Sequence, residues 1–422
     1  MKFKSIKGTR DILPPESRQW QYAEQIVRSR MALFNYREIR TPVFEETALF
    51  ARGIGELTDI VSKEMYTFTD RSDTSLTLKP EMTASVIRAY LQHNLGEQQP
   101  LTRLFYIAPM FRQERPQAGR LRQFHQFGAE AIGGRSAAID ADVIALATEI
   151  YRSFGILNPA LRINSVGCHL CRPAYKKLLR EFLEQVRDGL SPESQRRIEL
   201  NPLRILDSKD DNDNRLTASA PLIKDHLCTE CREHFAELQE SLALAQVPFL
   251  VDGRIVRGLD YYTRTAFEIT SSDLGSQDAL AGGGRYDLLA EELGGKPTPA
   301  VGFAAGIERL LMVLNQQKHD FPEEPGPSVF IACADTDGRR FAARAVMELR
   351  RSGISAETDY FSRSLKAQMR EADRQQAVVA TVIGATEIAD NRCTLKVMKT
   401  GETRQTALDS LAGGLKLILS RP

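Results

Sequence analysis

Apolar positions in this chain change their period several times, and each change marks an element. From Glu16, Trp20, Ala23, Val27, Met31 and Phe34 recur at spacings of three and four, which predicts an amphipathic helix opened by Pro14 and Pro15. Residues 37–46, REIRTPVFEE, read as a short strand. Two strand-like runs, RLFYIAPMFR and RLRQFHQFGAEAIG, flank the loop QERPQAG between Leu101 and Gly133. Ala141, Ile144, Ala147, Tyr151 and Phe154 form a second helical stripe, stopped at Gly155.

From Cys168 to Gln246 the pattern turns charged and helical, interrupted by DSKDDNDN at 207–214, which reads as a solvated acidic loop. Strand character returns with VPFLVDGRIVRGLDYYTRTAFEI. Within it, alternation places Tyr262, Arg264 and Glu268 on one face and Tyr261, Thr263 and Phe267 on the other, so neither face is simply apolar. FPEEPGP at 321–327 is a linker signal, because its prolines continue neither a helix nor a central strand. Beyond it VFIAC, a helix from Arg339 to Arg351, ISAET, a helix from Leu365 to Arg374 and AVVATVI alternate as β-α-β-α-β. The expected organisation is therefore α+β. Residues 1–167 and 247–322 form an antiparallel-sheet domain, 168–246 a helical insertion in it, and 327–422 a small α/β domain.

Composition narrows the function classes. With 42% hydrophobic and 26% charged residues, the 422-residue chain has globular rather than disordered character. No apolar run nears the roughly 20 residues of a membrane span, and MKFKSIKGTRDILPPES has no apolar signal core, which favours a cytoplasmic protein with no membrane partner. A net charge of +1 gives no global pull toward nucleic acid, so such binding requires a local patch; the C-terminal domain has a mild basic surplus.

Three stretches carry candidate chemistry. In the hairpin, an extended RLRQFHQFGAE presents Arg120, Arg122, Phe124, Gln126 and Glu130 on one face, and Tyr106, Met110 and Arg112 share a face of the preceding strand. Five arginines against the single acid Glu114 between Arg103 and Arg122 call for an anion, and guanidinium groups suit phosphates and flat rings. In TLKPEMTASVIRAY, Glu81 and Thr83 stand at the mouth of a helix, where the carboxylate either receives an ammonium group or caps the helix. In PAVGFAAGIERLLMVL a strand runs into a helix carrying Glu308 and Arg309. A P-loop is excluded, and AGGGRYD at 281–287 lacks the dinucleotide spacing, so a bound nucleotide would be held by arginines on an antiparallel sheet.

TPVFEE, FRQERPQAGRLRQFHQFGAE and GFAAGIERL resemble motifs 1, 2 and 3 of the class II aminoacyl-tRNA synthetases. RGLDYYTRTAFE and KPEMTA resemble the two signatures of the histidyl-tRNA synthetase family within that class, and the similarity runs from KGTRDILPP into the C-terminal domain. The resemblance implies an ATP-dependent ligase that joins L-histidine to tRNA(His), a C-terminal anticodon-binding domain, magnesium on the departing pyrophosphate and a homodimer built on motif 1. Carried over by motif, Glu81, Thr83 and Gln126 would hold the histidine α-amino group. Glu130 and Tyr262, with Tyr261 beside it, would read the imidazole. Arg112 and Arg257 would act on the α-phosphate, Phe124 would stack on adenine, and Arg120 and Arg309 would bind the outer phosphates or ring. Met82 stands where many members have glycine, which puts the local backbone path in question. The rival is a synthetase-like regulatory subunit of ATP phosphoribosyltransferase, which would lack the arginine signature and the C-terminal domain.

CHLC (Cys168, Cys171) and CTEC (Cys228, Cys231) form two C-x-x-C pairs with the ligand chemistry of a structural Zn²⁺ site, although 56 residues separate them. The alternative is four small buried residues; His169 and His234 are nearby substitute ligands.

Overall fold

The computed structural model describes residues 3–420 apart from 56–57, 59, 118, 158, 209 and 257–260. The chain divides into two compact units, Met1–Pro322 and Glu323–Pro422.

The first unit is built on an eight-stranded sheet. Its strands are β1 (Arg37–Glu38), β2 (Thr102–Phe111), β3 (Gln123–Ile132), β4 (Ala160–Ser165), β5 (Leu250–Val251), β6 (Thr263–Thr270), β7 (Ala279–Arg285) and β8 (Ala300–Gly306). They lie in the order β1-β2-β3-β8-β7-β6-β4-β5. The central pairings β2–β3, β3–β8, β8–β7 and β7–β6 are antiparallel. One core packs α1 (Glu16–Leu33), α3 (Ala137–Ser153) and α6 (Ile307–Gln316) onto this sheet through residues such as Trp20, Val27, Ile144, Tyr151, Phe127 and Leu310. A second core, with Met82, Val86, Tyr106, Tyr261, Tyr262 and Tyr286, gathers around α2 (Thr83–Gln92). The polar tips of that second core form the site.

Several expectations need revision. The expected strand 37–46 is two pieces: Arg37–Glu38 pairs parallel with β2, whereas Phe44–Glu46 joins Tyr66–Thr69 and Ser75–Leu78 in a separate three-stranded sheet. Pro42 lies between them, where a missing N–H ends the pairing. The predicted strand from Val247 onward is also interrupted. Leu250–Val251 is a two-residue edge, and among the described residues pairing next appears at Thr263. Arg264 then adopts φ 51, and the register with β7 shifts at Gly284/Arg285. This bulge breaks the expected alternation, so Tyr261 and Tyr262 do not sit on opposite faces of a regular strand; their ring centroids are 4.8 Å apart.

The charged stretch is helical, with α4 (Arg172–Gln185), two shorter helices at Pro192–Leu200 and Asp211–Leu216, and α5 (Thr229–Leu244). Residues from Cys168 to Cys231 share a core of their own, including Tyr175, Leu179, Ile198 and Ile205. The later part of α5 packs Phe235, Leu238 and Leu242 into the main core. The acidic run is not a solvated loop. Asp210 caps its short helix, and Asp213 is fully buried, accepting hydrogen bonds from Ser191 N (2.8 Å) and the hydroxyls of Ser191 (2.8 Å), Ser194 (2.6 Å) and Ser208 (2.8 Å).

In the second unit, the sheet order is β10-β9-β11-β12-β13, where β9 is Val329–Cys333, β10 Ala356–Thr358, β11 Val379–Ile383, β12 Arg392–Val397 and β13 Thr403–Ala407. The first three are parallel, as the β-α-β-α-β pattern predicts, and β12–β13 add an antiparallel hairpin. Its first helix starts at Thr336 rather than Arg339, because Asp335 accepts from Gly338 N at 2.8 Å and caps it.

Candidate active site

The floor of the site is buried and acidic. Glu130 on β3 is 1% exposed; it accepts from the Thr83 hydroxyl at 2.8 Å on one oxygen and from the Tyr286 hydroxyl on the other. Burial outweighs those two donors and, with Glu81 nearby, pushes the Glu130 carboxyl up to about 8. The register places Gly302 of β8 opposite Glu130, where a Cβ would stand 1.7 Å from Oε2. Glycine at 302 leaves the room that the Glu130 carboxyl occupies. Tyr261 contacts Tyr286 with ring centroids 5.6 Å apart, and the phenols of Tyr106, Tyr261, Tyr262 and Tyr286 line the same space as the Glu130 carboxyl.

Glu81 caps α2. Its two oxygens accept from Thr83 N (2.6 Å) and Ala84 N (2.9 Å), so the capping role expected as an alternative is real and coexists with a place in the cleft. Burial raises its carboxyl, and those two N–H groups partly offset the rise. Met82 between them has φ −108 and ψ −26, a backbone any residue adopts, and its side chain is buried in the second core. The backbone path therefore does not require glycine here. Gln126, two positions beyond Phe124 on β3, keeps a buried side-chain oxygen with no hydrogen-bond partner, which awaits a donor.

The mouth is cationic. Arg112 donates from Nε to Pro80 O at 2.9 Å and lies 5.2 Å from the centre of the Phe124 ring. Arg309 opens α6, donating to Gly119 O (3.3 Å) and Ala279 O (2.7 Å). Burial, then the charges of Arg120 and Arg112, push the Arg309 guanidinium below its ordinary value. Glu114 lies between the neighbours, 3.6 Å from Arg112 and 3.4 Å from Arg120. Three guanidinium groups with one carboxylate among them form a seat for a polyanion, and Phe124 offers a flat face. Glu308 fixes this geometry. It accepts from His125 N at 2.9 and 3.0 Å and meets His125 Nδ1 at 3.1 Å, tying β3 to α6.

One cleft thus collects Glu81, Thr83, Gln126, Glu130, Tyr261 and Tyr262 at its floor and Arg112, Arg120, Phe124 and Arg309 at its mouth. Arg120 and Arg122 belong to the connection before β3, not to the strand face on which the alternation placed them. Arg257 lies outside the described residues. Tyr106, placed on the hairpin wall by the sequence, and Glu114, counted there only as the hairpin's acid, also line the cleft, as does Tyr286, to which sequence reasoning assigned no role. The signal for Tyr286 was AGGGRYD, whose glycines serve close strand approach rather than a dinucleotide: a Cβ at Gly283 would stand 2.2 Å from Gly302 O.

The four cysteines of the two pairs meet, with all four Sγ atoms within 4.8 Å of one another. Cys168–Cys171 and Cys168–Cys228 are 3.8 Å apart and Cys171–Cys231 3.9 Å. A tetrahedron with Zn–S arms of about 2.3 Å has edges of about 3.8 Å. Burial raises the Cys168 thiol, but the N–H groups of Cys171 and Leu170 and neighbouring thiols outweigh it and bring it to about 7. Cys171 and Cys228 are the N-caps of α4 and α5, so two helix N-termini face the sulfurs. The grouping contains neither histidine, and His234 Nε2 lies 3.6 Å from Asp140 instead.

Comparison with known proteins gives the chain's family. The sequence model described as histidyl-tRNA synthetase matches residues 8–310, and one described as an anticodon-binding domain matches residues 328–417, the region a regulatory paralogue would lack. The histidine–tRNA ligase of Caldanaerobacter subterraneus is 49% identical over 416 residues, 99% of this chain and 100% of that one. That of Chloroherpeton thalassium is 52% identical over 407 residues, 95% of each chain. The structure of apo histidyl-tRNA synthetase from S. aureus superimposes with a TM-score of 0.84 at 38% identity, covering 98% of this chain and 100% of that one.

Proposed function

The chain belongs to the histidyl-tRNA synthetase family and is an aminoacyl-tRNA ligase that charges tRNA with histidine, and from that premise we propose how the cleft divides the work. The observation that carries the proposal is the pairing of a buried carboxyl-and-phenol floor with a three-guanidinium mouth in one cleft. Histidine enters the floor. Glu130 and Tyr262, with Tyr261 beside it, read the two imidazole nitrogens. Glu81, Thr83 and the unpartnered Gln126 oxygen hold the α-amino group. An analogue without ring nitrogens would strand these buried groups, which supports discrimination on the order of 10⁴-fold.

ATP enters the mouth as its magnesium complex, with adenine on Phe124 and its outer phosphates or ring on Arg120 and Arg309. A histidine carboxylate oxygen attacks the α-phosphorus, pyrophosphate departs, and the histidyl-adenylate remains. No side chain need become covalently attached. Arg112 and Arg257 stabilise charge on the α-phosphoryl group, so catalysis is positioning plus preorganised charge. A terminal ribose hydroxyl of tRNA(His) then takes the histidyl group, while the C-terminal unit holds the anticodon. The assignment predicts histidine-dependent exchange of pyrophosphate into ATP. Exchange that ignores histidine, or none, overturns it.

The four thiolates hold one structural Zn²⁺ in this reading, supported by their 3.8–3.9 Å separations. Chain purified without chelator should carry one equivalent of zinc, and less than about half an equivalent overturns the site. We also propose a cytoplasmic homodimer. Motif 1 leaves Val43, Phe44 and the adjacent Phe68 more than two-fifths exposed, the surface a partner would cover. Sedimentation at the monomer mass in the micromolar range would refute the dimer.

A further inference from the structure

Both cysteine pairs grip the same short piece of the site wall. Arg172, the residue after Cys171, donates from Nε to Val166 O at 3.2 Å and from Nη2 to the carbonyl of Tyr262. Gly167, the residue before Cys168, accepts from Arg264 N at 2.8 Å, and Val166 N donates to Arg264 O at 2.7 Å. Glu230, inside the second pair, meets the Arg264 guanidinium at 3.1 Å. Arg264 is held with φ 51, in the left-handed region that a side chain of its kind rarely adopts unaided. Gly167 also has positive φ, 67, and a Cβ there would stand 2.8 Å from Cys171 Sγ, so the loop is shaped closely around the sulfur.

We infer that the metal-bound cysteine tetrad is a positioning device for the amino-acid pocket, acting through Arg172 on the Tyr262 backbone. The inference rests on the zinc reading above. Without a metal, four sulfurs this close have no common partner, and the loop at 166–172 loses its anchor. Tyr262 then loses a fixed carbonyl contact at the point where the strand bulges, and the phenol facing the floor shifts with it. Arg172 carries more of this coupling than Glu230, because its contacts are to backbone in a partly buried setting, whereas the Glu230 side chain is 71% exposed. Arg112 and Arg120 come from the β2–β3 connection and Arg309 from α6, none of which bears a cysteine, so the grip of these three arginines on the nucleotide is left alone.

The test uses the full chain and three readouts: zinc content, KM for histidine and KM for ATP in pyrophosphate exchange. Arg172→Ala should retain one equivalent of zinc, raise KM for histidine about 10-fold and leave KM for ATP within about twofold, matching the effect expected when a residue supporting metal ligands is lost. Arg172→Lys should recover part of the loss, and Glu230→Gln should change KM for histidine by less than about twofold. Chelator-stripped chain should show the same selective rise, reversed by Zn²⁺; Co²⁺ in its place should give the intense visible bands of a tetrahedral tetrathiolate. Zinc at one equivalent with an unchanged KM for histidine in Arg172→Ala, or equal shifts in both KM values, overturns the coupling and leaves the metal site standing. A zinc-free active chain, or a Cys168–Cys171 disulfide in its place, overturns both. Should stripping unfold the chain, the two Arg172 variants decide the matter with zinc in place.

Discussion

The floor and the mouth of the cleft meet along β3, which carries both Glu130 and Phe124, yet they solve opposite problems. At the floor, Glu81 and Glu130 are almost wholly buried and each accepts two hydrogen bonds from fixed donors. At the mouth, Arg120 and Arg112 keep about two-fifths and one-fifth of their side chains in solvent and share one carboxylate. A buried site stakes its energy on a complete set of partners, so a wrong ligand is rejected by what it leaves unpaired. A half-open cationic site binds by charge and tolerates variation in the ligand beyond the phosphates. On the proposed division of the cleft, selectivity for the amino acid and grip on the nucleotide are separable, and substitutions should act on one without the other.

The largest effect is expected where the two ends meet. Arg112→Ala should lower kcat for pyrophosphate exchange by roughly 10³-fold with a smaller change in histidine KM, the loss associated with one preorganised donor to developing charge. Equal losses in both parameters would mean that Arg112 merely shapes the floor. Next, Gly302→Ala puts a Cβ against Glu130 Oε2 and 2.6 Å from Ala129 O, and backbone cannot yield. It should cost about 10²-fold in kcat/KM for histidine, as expected when the bound substrate is displaced by about an ångström, while KM for ATP barely moves. A variant that binds histidine normally would show that the floor is soft. Arg120→Ala is a rim change and should raise KM for ATP by at most about fivefold, in keeping with the roughly 1 kcal/mol of a screened charge contact.

The smallest effect concerns stability. Because the Glu130 carboxyl titrates near 8 in the folded chain but as an ordinary carboxylate when unfolded, the folded state holds the extra proton between those two values. Stability therefore declines as pH rises through that window and levels off above about 8. Glu130→Gln should melt within about 1 °C of the parent at pH 5 and at least about 2 °C above it at pH 8 in the absence of histidine. A melting difference independent of pH would show that Glu130 is already ionised in the empty floor.

Legibility followed the kind of signal each region carries. The C-terminal strand VFIAC is buried at every position, and a continuous apolar run announces a central parallel strand without help from elsewhere. The helix from Glu16 was equally plain, since Trp20, Ala23, Val27 and Met31 bury one stripe. The run 37–46 misled because its two ends belong to different sheets, and no local pattern says which partner a strand will choose. Asp213 misled for a related reason: the serines that satisfy it come from 5, 19 and 22 residues away.

What the sequence determined by itself was the set of chemical groups: five arginines against one acid in the hairpin, Glu81 and Thr83 ahead of a helix, and two spaced cysteine pairs. These are properties of residue type and local spacing, which no folding can alter. Only the tertiary structure decided that Tyr286 and Glu130 share a hydrogen bond across 156 residues, that Gly302 makes room for it, and that the cysteine pairs meet beside Tyr262. Those facts depend on strand register, and register is set by the packing of a whole sheet face rather than by any one segment.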